Sequence, residues 1–248
     1  MLRAEILKLK RSATWIIALI LPLLAVITGT INLANNPDTL DAGWASFTSQ
    51  VTLFYGLLFF SIGISLIAST VWRMEHRGTN WNLLLTTTRQ PIKLVAAKIA
   101  VIALPVAFMQ LILVIGTLIS GTFILGLDGM IPWYFTLVGA ISVIAALPLI
   151  AIQSLLSMLM KSFAAPVAIC LLGCVVGVAT VTSEGLRPLS FIWPQAINTR
   201  VLNLGSTALA GSGGLTVQDA LPLLSIALCI AALITGLTLT MIRKVKLR

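Results

Sequence analysis

The chain has 248 residues, 58% of them hydrophobic and only 9% charged, with a mean hydropathy of +1.07. So few charges cannot coat a soluble globule of this length, which excludes a water-soluble enzyme and leaves an integral membrane protein. The net charge of +9 and pI near 10.1 suit anionic lipid headgroups, not nucleic acid, because the basic residues flank apolar runs and do not alternate with aromatic ones.

In chain order, Met1 to Arg11 carries Leu2, Ile6 and Leu9 at helical spacing, with Arg3, Lys8, Lys10 and Arg11 mostly around them. This pattern predicts a short helix in the inner headgroup layer, with an unstructured basic anchor as the alternative. Six apolar runs then reach the ~20 residues needed to cross a ~30 Å hydrocarbon core: about 12–33, 50–72, 99–127, 133–160, 164–182 and 220–242. The first exceeds the roughly 7–15 residues of a signal-peptide core and has no clear cleavage site before Asn35, so it is read as a retained helix. The third and fourth are longer than a span requires and are expected to tilt, kink or project. Pro22, Pro105, Pro148, Pro166 and Pro222 mark expected bends. No internal repeat is evident, and residues 1–248 read as one transmembrane domain.

Fourteen of the sixteen Lys and Arg fall in alternate gaps: before the first run, between the second and third, between the fourth and fifth, and after the last. Only Arg187 and Arg200 lie in the other gaps, together with Asp38, Asp41, Asp128, Glu184 and Asp219. Positively charged loops resist translocation, so the basic gaps and both termini are assigned to the cytoplasm.

As bounded above, the six runs hold no Asp, Glu, Lys, Arg or His; the most polar side chains in their interiors are Asn32, Gln110, Gln153 and scattered Ser and Thr. Ion-coupled transporters and voltage sensors rely on intramembrane ionisable groups, so the bundle reads as lacking its own motor, although a sodium site of carbonyls and hydroxyls stays open. Membrane proteases lack their ligands and bases for the same reason. Cys170, Cys174 and Cys229 lie in apolar runs without a neighbouring His or carboxylate and read as packing residues, not a disulfide or metal set. No metal or other cofactor is expected on this chain. His76, the only histidine, sits at the cytoplasmic mouth of the second run and reads as solvated or headgroup-contacting. No G-x-x-x-x-G-K-[ST] phosphate loop is present, so ATP binding and hydrolysis, with Mg, fall to another chain.

The gap 73–98 reads as the working surface. A helix started at Thr79 places Trp81, Leu84, Leu85 and Thr88 on one face. Gly78 can break the preceding helix, Thr79 can cap the new one, and Pro91 limits it. Such an amphipathic element can dock in a groove of a soluble partner or rest in the headgroups.

Glu75, Gly78-Thr79, Leu83-Leu84-Leu85-Thr86-Thr87, Arg89 and Lys98 resemble the E-x-x-G-T-x-x-x-L-L-x-T…K signature that follows the second helix of ABC-2 type permeases. Trp81, the chain length and the Leu-Lys-rich opening are most similar to permeases of lantibiotic-immunity exporters in Gram-positive bacteria. The resemblance implies an all-α protein of six transmembrane helices in the bacterial plasma membrane, with a cytoplasmic coupling helix. It also implies a pair of permeases, identical or related, above two ATP-binding subunits that carry the ATP and Mg. Glu75, Gly78, Thr79, Trp81, Asn82, Leu84 and Leu85 would then meet the ATPase. Re-entrant outer helices would fall within 186–209, where Phe191 and the Trp193-Pro194 break face outward. Gly173 and Gly177 form a small-x-x-x-small face for permease packing or for packing within one chain. The cargo implied is a lantibiotic-type amphipathic peptide; an exporter of lipid, drug or glycan, and a non-transport scaffold or sensor, are the alternatives.

Overall fold

The computed structural model describes residues 2–10, 12–37, 39–76, 90–206 and 216–246, and no strand occurs among them. A short α1 (Leu2–Leu9) leads into α2 (Thr14–Asn35). There follow α3 (Trp44–Arg73), α4 (Pro91–Ile124), α5 (Trp133–Leu159) and α6 (Ala164–Thr182). A 3-10 turn at Arg187–Phe191, α7 (Pro194–Leu202) and α8 (Ala220–Lys246) complete the chain. Six of these, α2 to α6 and α8, are long and apolar enough to cross a membrane. Their cores coincide with the six predicted runs.

Their ends differ from prediction where local chemistry extends a helix. Pro91 starts α4 at its first turn, where the missing N–H costs nothing, so the helix begins eight residues before the predicted span at Ile99. Lys98 is thereby inside α4 and fully buried. That corrects the reading of a bundle without buried ionisable groups. Among the expected bends, Pro148 lies just after the break in α5 at Ala146, whereas Pro22 and Pro105 sit within continuous helices.

Helices α2, α3 and α4 pack together, α3 also lies against α5 and α6, and α8 closes on α5 and α4. The buried core joins Phe47, Tyr55, Phe60 and Ile64 of α3 to Val106, Met109 and Leu113 of α4 and Leu149 and Ile150 of α5. Between spans the polar side chains pair across helices: Asn32 donates to Gln50 (2.7 Å), Ser65 donates to Gln153 (2.9 Å), and Thr30 and Ser120 share a bond of 2.7 Å. Without water to satisfy them, such groups hold helices in one register.

The outer insert is the least regular part of the bundle. Trp193 is extended, Pro194 starts α7, and every residue of α7 is buried. Helix α3 opens into a π turn at Tyr55–Phe59, and there the Thr199 hydroxyl donates to the Gly56 carbonyl (2.8 Å) while Thr52 donates to Asn203 (3.2 Å). Gly56 lies twelve residues into α3, or roughly 18 Å from its outer end at 1.5 Å per residue. The insert therefore descends into the bundle, as expected of a re-entrant element. A Cβ on Gly56 would come 3.4 Å from the Thr199 backbone and 3.2 Å from Asn203, so the absence of a side chain lets the two helices approach this closely.

Candidate functional site at the cytoplasmic face

At the inner end of the bundle three separate segments meet through charge. Helix α1 contributes Glu5 and Lys8, the turn after α3 contributes Glu75, and the second turn of α4 contributes Lys98. The Lys98 Nζ lies 2.7 Å from Glu5 Oε2 and 2.7 Å from Glu75 Oε1. Lys8 reaches the same two carboxylates, at 2.8 Å from Glu5 Oε1 and 2.7 Å from Glu75 Oε1. Two cations and two anions thus close a neutral ring. Neutrality matters because Lys98 is wholly buried and the Glu5 and Glu75 side chains are 4% exposed; an unbalanced charge at that depth would cost several kcal/mol by general estimates, on the order of a whole buried ion's desolvation. The Trp72 ring adds a face to the ammonium of Lys98, 5.1 Å from its centroid.

Burial works to raise the Glu75 pKa, but the charge of Lys98 and the hydrogen bonds from Lys8 and Lys98 outweigh it and hold the carboxyl below its ordinary value. For Lys8, burial works downward and is outweighed by hydrogen bonds to Glu5 and Glu75, so its pKa is raised. Both shifts favour the charged ring.

A ladder along α3 and α5 fixes the residues on which the ring rests. The Trp72 indole donates to Ser154 (2.8 Å), Ser69 and Ser157 share a bond of 3.3 Å, and His76 Nε2 is 2.8 Å from the Ser157 carbonyl. A carbonyl only accepts, so Nε2 carries the proton in this contact. His76 is therefore tied to α5 and is not the solvated side chain expected from its position.

Of the residues assigned to the coupling surface, Glu75 is the ring's shared acceptor. Gly78, Thr79, Trp81, Asn82, Leu84 and Leu85 lie outside the described residues. The ring joins the two ends of that loop, since Glu75 and His76 stand before it and Lys98 after it. Glu5 was not singled out by the sequence reading, Lys8 entered it only as one of the basic residues of the N-terminal helix, and Lys98 only as the closing Lys of the family signature. The N-terminal helix forms as predicted: Leu9 turns inward with Glu5, while Leu2 and Ile6 stay on the exposed side.

On the outer side, Gly173 and Gly177 are covered by their own chain. A Cβ on Gly173 would collide with the Gln195 amide, and one on Gly177 would lie 3.1 Å from Gln195 Cβ and 3.4 Å from the Ala196 backbone nitrogen. The Trp193 indole donates to the Gly173 carbonyl (2.8 Å), and Pro194 is buried directly after it. This face receives α7 within the chain. Phe191 is half-buried, its ring under the guanidinium of Arg200 at 4.6 Å.

Comparison with protein families gives a match to the family described as ABC-2 family transporter protein over residues 1–177. No curated protein and no solved structure matches the chain. The matched stretch includes every member of the charged ring, the loop it brackets, four of the six membrane-length helices and most of a fifth. By that extent and by its architecture, the chain belongs to the ABC-2 family, the multi-pass membrane components of ABC transport, and resides in a bacterial membrane.

Proposed function

We propose that this chain is the permease subunit of an ATP-driven exporter that removes a lantibiotic-type antimicrobial peptide from the membrane and so protects the cell. Two copies of an ABC ATP-binding subunit drive it, with ATP and Mg held on them, and a second permease, identical or related, completes the pathway. The observation that carries the coupling part is the buried ring of Glu5, Lys8, Glu75 and Lys98. A push on the loop around Trp81 reaches α3 and α4 through Glu75 and Lys98 together, and α1 through Glu5 and Lys8. The three elements move as a unit because separating any one leaves a charge buried without its partner. Closure of the ATPases thereby shifts helix packing across the bundle.

The peptide cargo rests on likeness in chain length, opening segment and Trp81 to lantibiotic-immunity permeases. A cleft of about 320 Å³ between the outer halves of α2 and α4, lined by Leu23, Ile27, Ile31, Gly116, Ile119 and Ile124, supports an apolar cargo taken from the membrane. The same cleft favours a second reading, export of a lipid or apolar drug, since it would take an acyl chain equally well. Challenge of cells with lantibiotics and with other antibiotics separates the two. Coupling is tested with Trp81→Asp combined with Leu84→Asp: insertion is retained, while protection and co-purification of an ATP-binding subunit are lost. Unchanged protection would remove the docking assignment.

A further inference from the structure

Helix α6 joins the cytoplasmic end of the bundle to the outer insert, and its two halves are held differently. At the inner end Ser162 caps it by accepting from the Ala165 N–H (3.3 Å). Phe163, one residue before the helix, lies under the guanidinium of Arg73, 5.5 Å from the ring centroid. Arg73 is the last residue of α3 and stands two positions before Glu75. Further along α6 the Cys170 thiol donates to the Ser61 carbonyl of α3 (3.3 Å). In the outer half the Trp193 indole donates to the Gly173 carbonyl (2.8 Å), and Gln195 and Ala196 of α7 close on Gly173 and Gly177.

The ties around the inner end of α3 are unequal. The charged ring holds it to α1 and α4, and the bonds of Trp72 to Ser154 and of His76 to the Ser157 carbonyl hold it to α5. Opening the ring would strand a buried charge. Arg73, by contrast, is exposed, and a cation–π contact at an exposed site biases an equilibrium by only about two- to fivefold. Under load, α1, α4 and α5 therefore follow α3, and the contact with α6 is the one that gives. The outer half of α6 has no such slack. A Cβ at Gly173 or Gly177 already meets α7, and close-packed surfaces transmit displacement instead of absorbing it.

We infer that Arg73 and Phe163 are positioning residues that form a releasable latch between the coupling loop and α6, and that α6 is the lever carrying its release to the outer insert. The inference rests on the coupling role proposed above. With the latch closed, α6 is held against α3 at Phe163 and again at Cys170. With it open, the inner end swings about the contact of Cys170 with Ser61, and α7 moves with the outer half, a two-position rearrangement of packed helices.

The test reads spin–spin distances in a Cys229→Ser background, on the permease alone and on its complex with the co-purified ATP-binding subunit. One label pair, at Lys93→Cys and Ala168→Cys, reports the inner end of α6; the other, at Asp41→Cys and Leu189→Cys, reports the outer insert. All four positions are exposed. In the complex, trapping with ATP and vanadate should shift both pairs. Without nucleotide, Phe163→Ala and Arg73→Gln should raise the released population of the inner pair about two- to fivefold, with a matching change at the outer pair, and Phe163→Tyr should restore the wild-type distribution. If trapping moves neither pair while Phe163→Ala still changes both pairs in the permease alone, the coupling role fails and the latch and lever stand. Identical inner distributions in wild type, Phe163→Ala and Arg73→Gln would overturn the latch, and inner release with a fixed outer pair would overturn the lever.

Discussion

The inner ring and the outer arginine pair meet the same physical problem in opposite ways. Both place cations where water does not reach, Lys98 at no exposure and Arg200 at 5%. Inside, each ammonium touches two carboxylates and the set is neutral. Outside, the Arg200 guanidinium lies over the Phe191 ring and donates to Ser190, whose hydroxyl in turn donates to the Arg187 carbonyl. A self-contained ring gives a rigid joint, suited to transmitting force between α1, α3 and α4. The contrast also predicts where substitutions will be costly.

The largest effect is expected at Lys98. Lys98→Met leaves Glu5 and Glu75 buried beside each other with only Lys8 to serve both, and should lower stability by about 3–5 kcal/mol, the range for breaking a buried pair. Thermal unfolding in detergent measures it. A change no larger than that of a surface substitution would mean that the ring is wetter than its burial indicates. On the outer side the corresponding break is steric: Gly173→Val drives a side chain into Gln195 and should cost about 1–3 kcal/mol through overpacking. It should also move the Trp193 indole off the Gly173 carbonyl, altering tryptophan emission, whereas Lys98→Met should leave the Trp193 environment intact.

Titration sharpens the comparison, because only the inner ring carries carboxylates. The Glu75 pKa is held below its ordinary value of about 4.5, so its contribution to stability is full above that value and is lost as pH falls through the depressed one. The Lys8 pKa is raised above about 10.5, so its contribution is full below that value and is lost as pH rises through the raised one. The unfolding temperature should therefore hold between these limits as far as the ring is concerned. Glu75→Gln should reduce the acid-side loss while lowering stability at neutral pH. An acid limb of unchanged depth in that variant would assign the loss to other carboxylates.

How much of this was legible in the sequence follows from what each feature depends on. The spans were readable because hydrocarbon thickness demands a fixed length of apolar chain, and the outer insert was expected from the family resemblance, with Trp193-Pro194 as the break that located it. The ring was not. Lys98 stands one residue before a hydropathy boundary, and a boundary drawn from apolarity places any charge outside it, although Pro91 had already started the helix. Glu5 lay among four basic residues in a segment read only for its leucines, and its partner is 93 positions away, a distance that no local pattern spans. Gly173 and Gly177 were visible as a small-residue face, but spacing within α6 says nothing about which helix fills it. The topology rule did single out Arg187 and Arg200 as exceptions; it could not show that the two exceptions are neighbours.

The smallest effect is expected at Lys8, and it tests whether the ring is one unit or two pairs. Its side chain is 37% exposed, so water screens its attractions and an isolated exposed pair would contribute about 0–1 kcal/mol. Lys8→Gln alone should accordingly change stability little, because Lys98 still binds both carboxylates. In a Lys98→Met background, however, Lys8 is the only cation left against two buried anions, and its removal should cost clearly more than in the wild type. A double-mutant cycle reads that difference directly. Additive effects would show that the four charges act as independent pairs, and α1 would then be an anchor held by Glu5 and Lys98 alone, not the third arm of a joint.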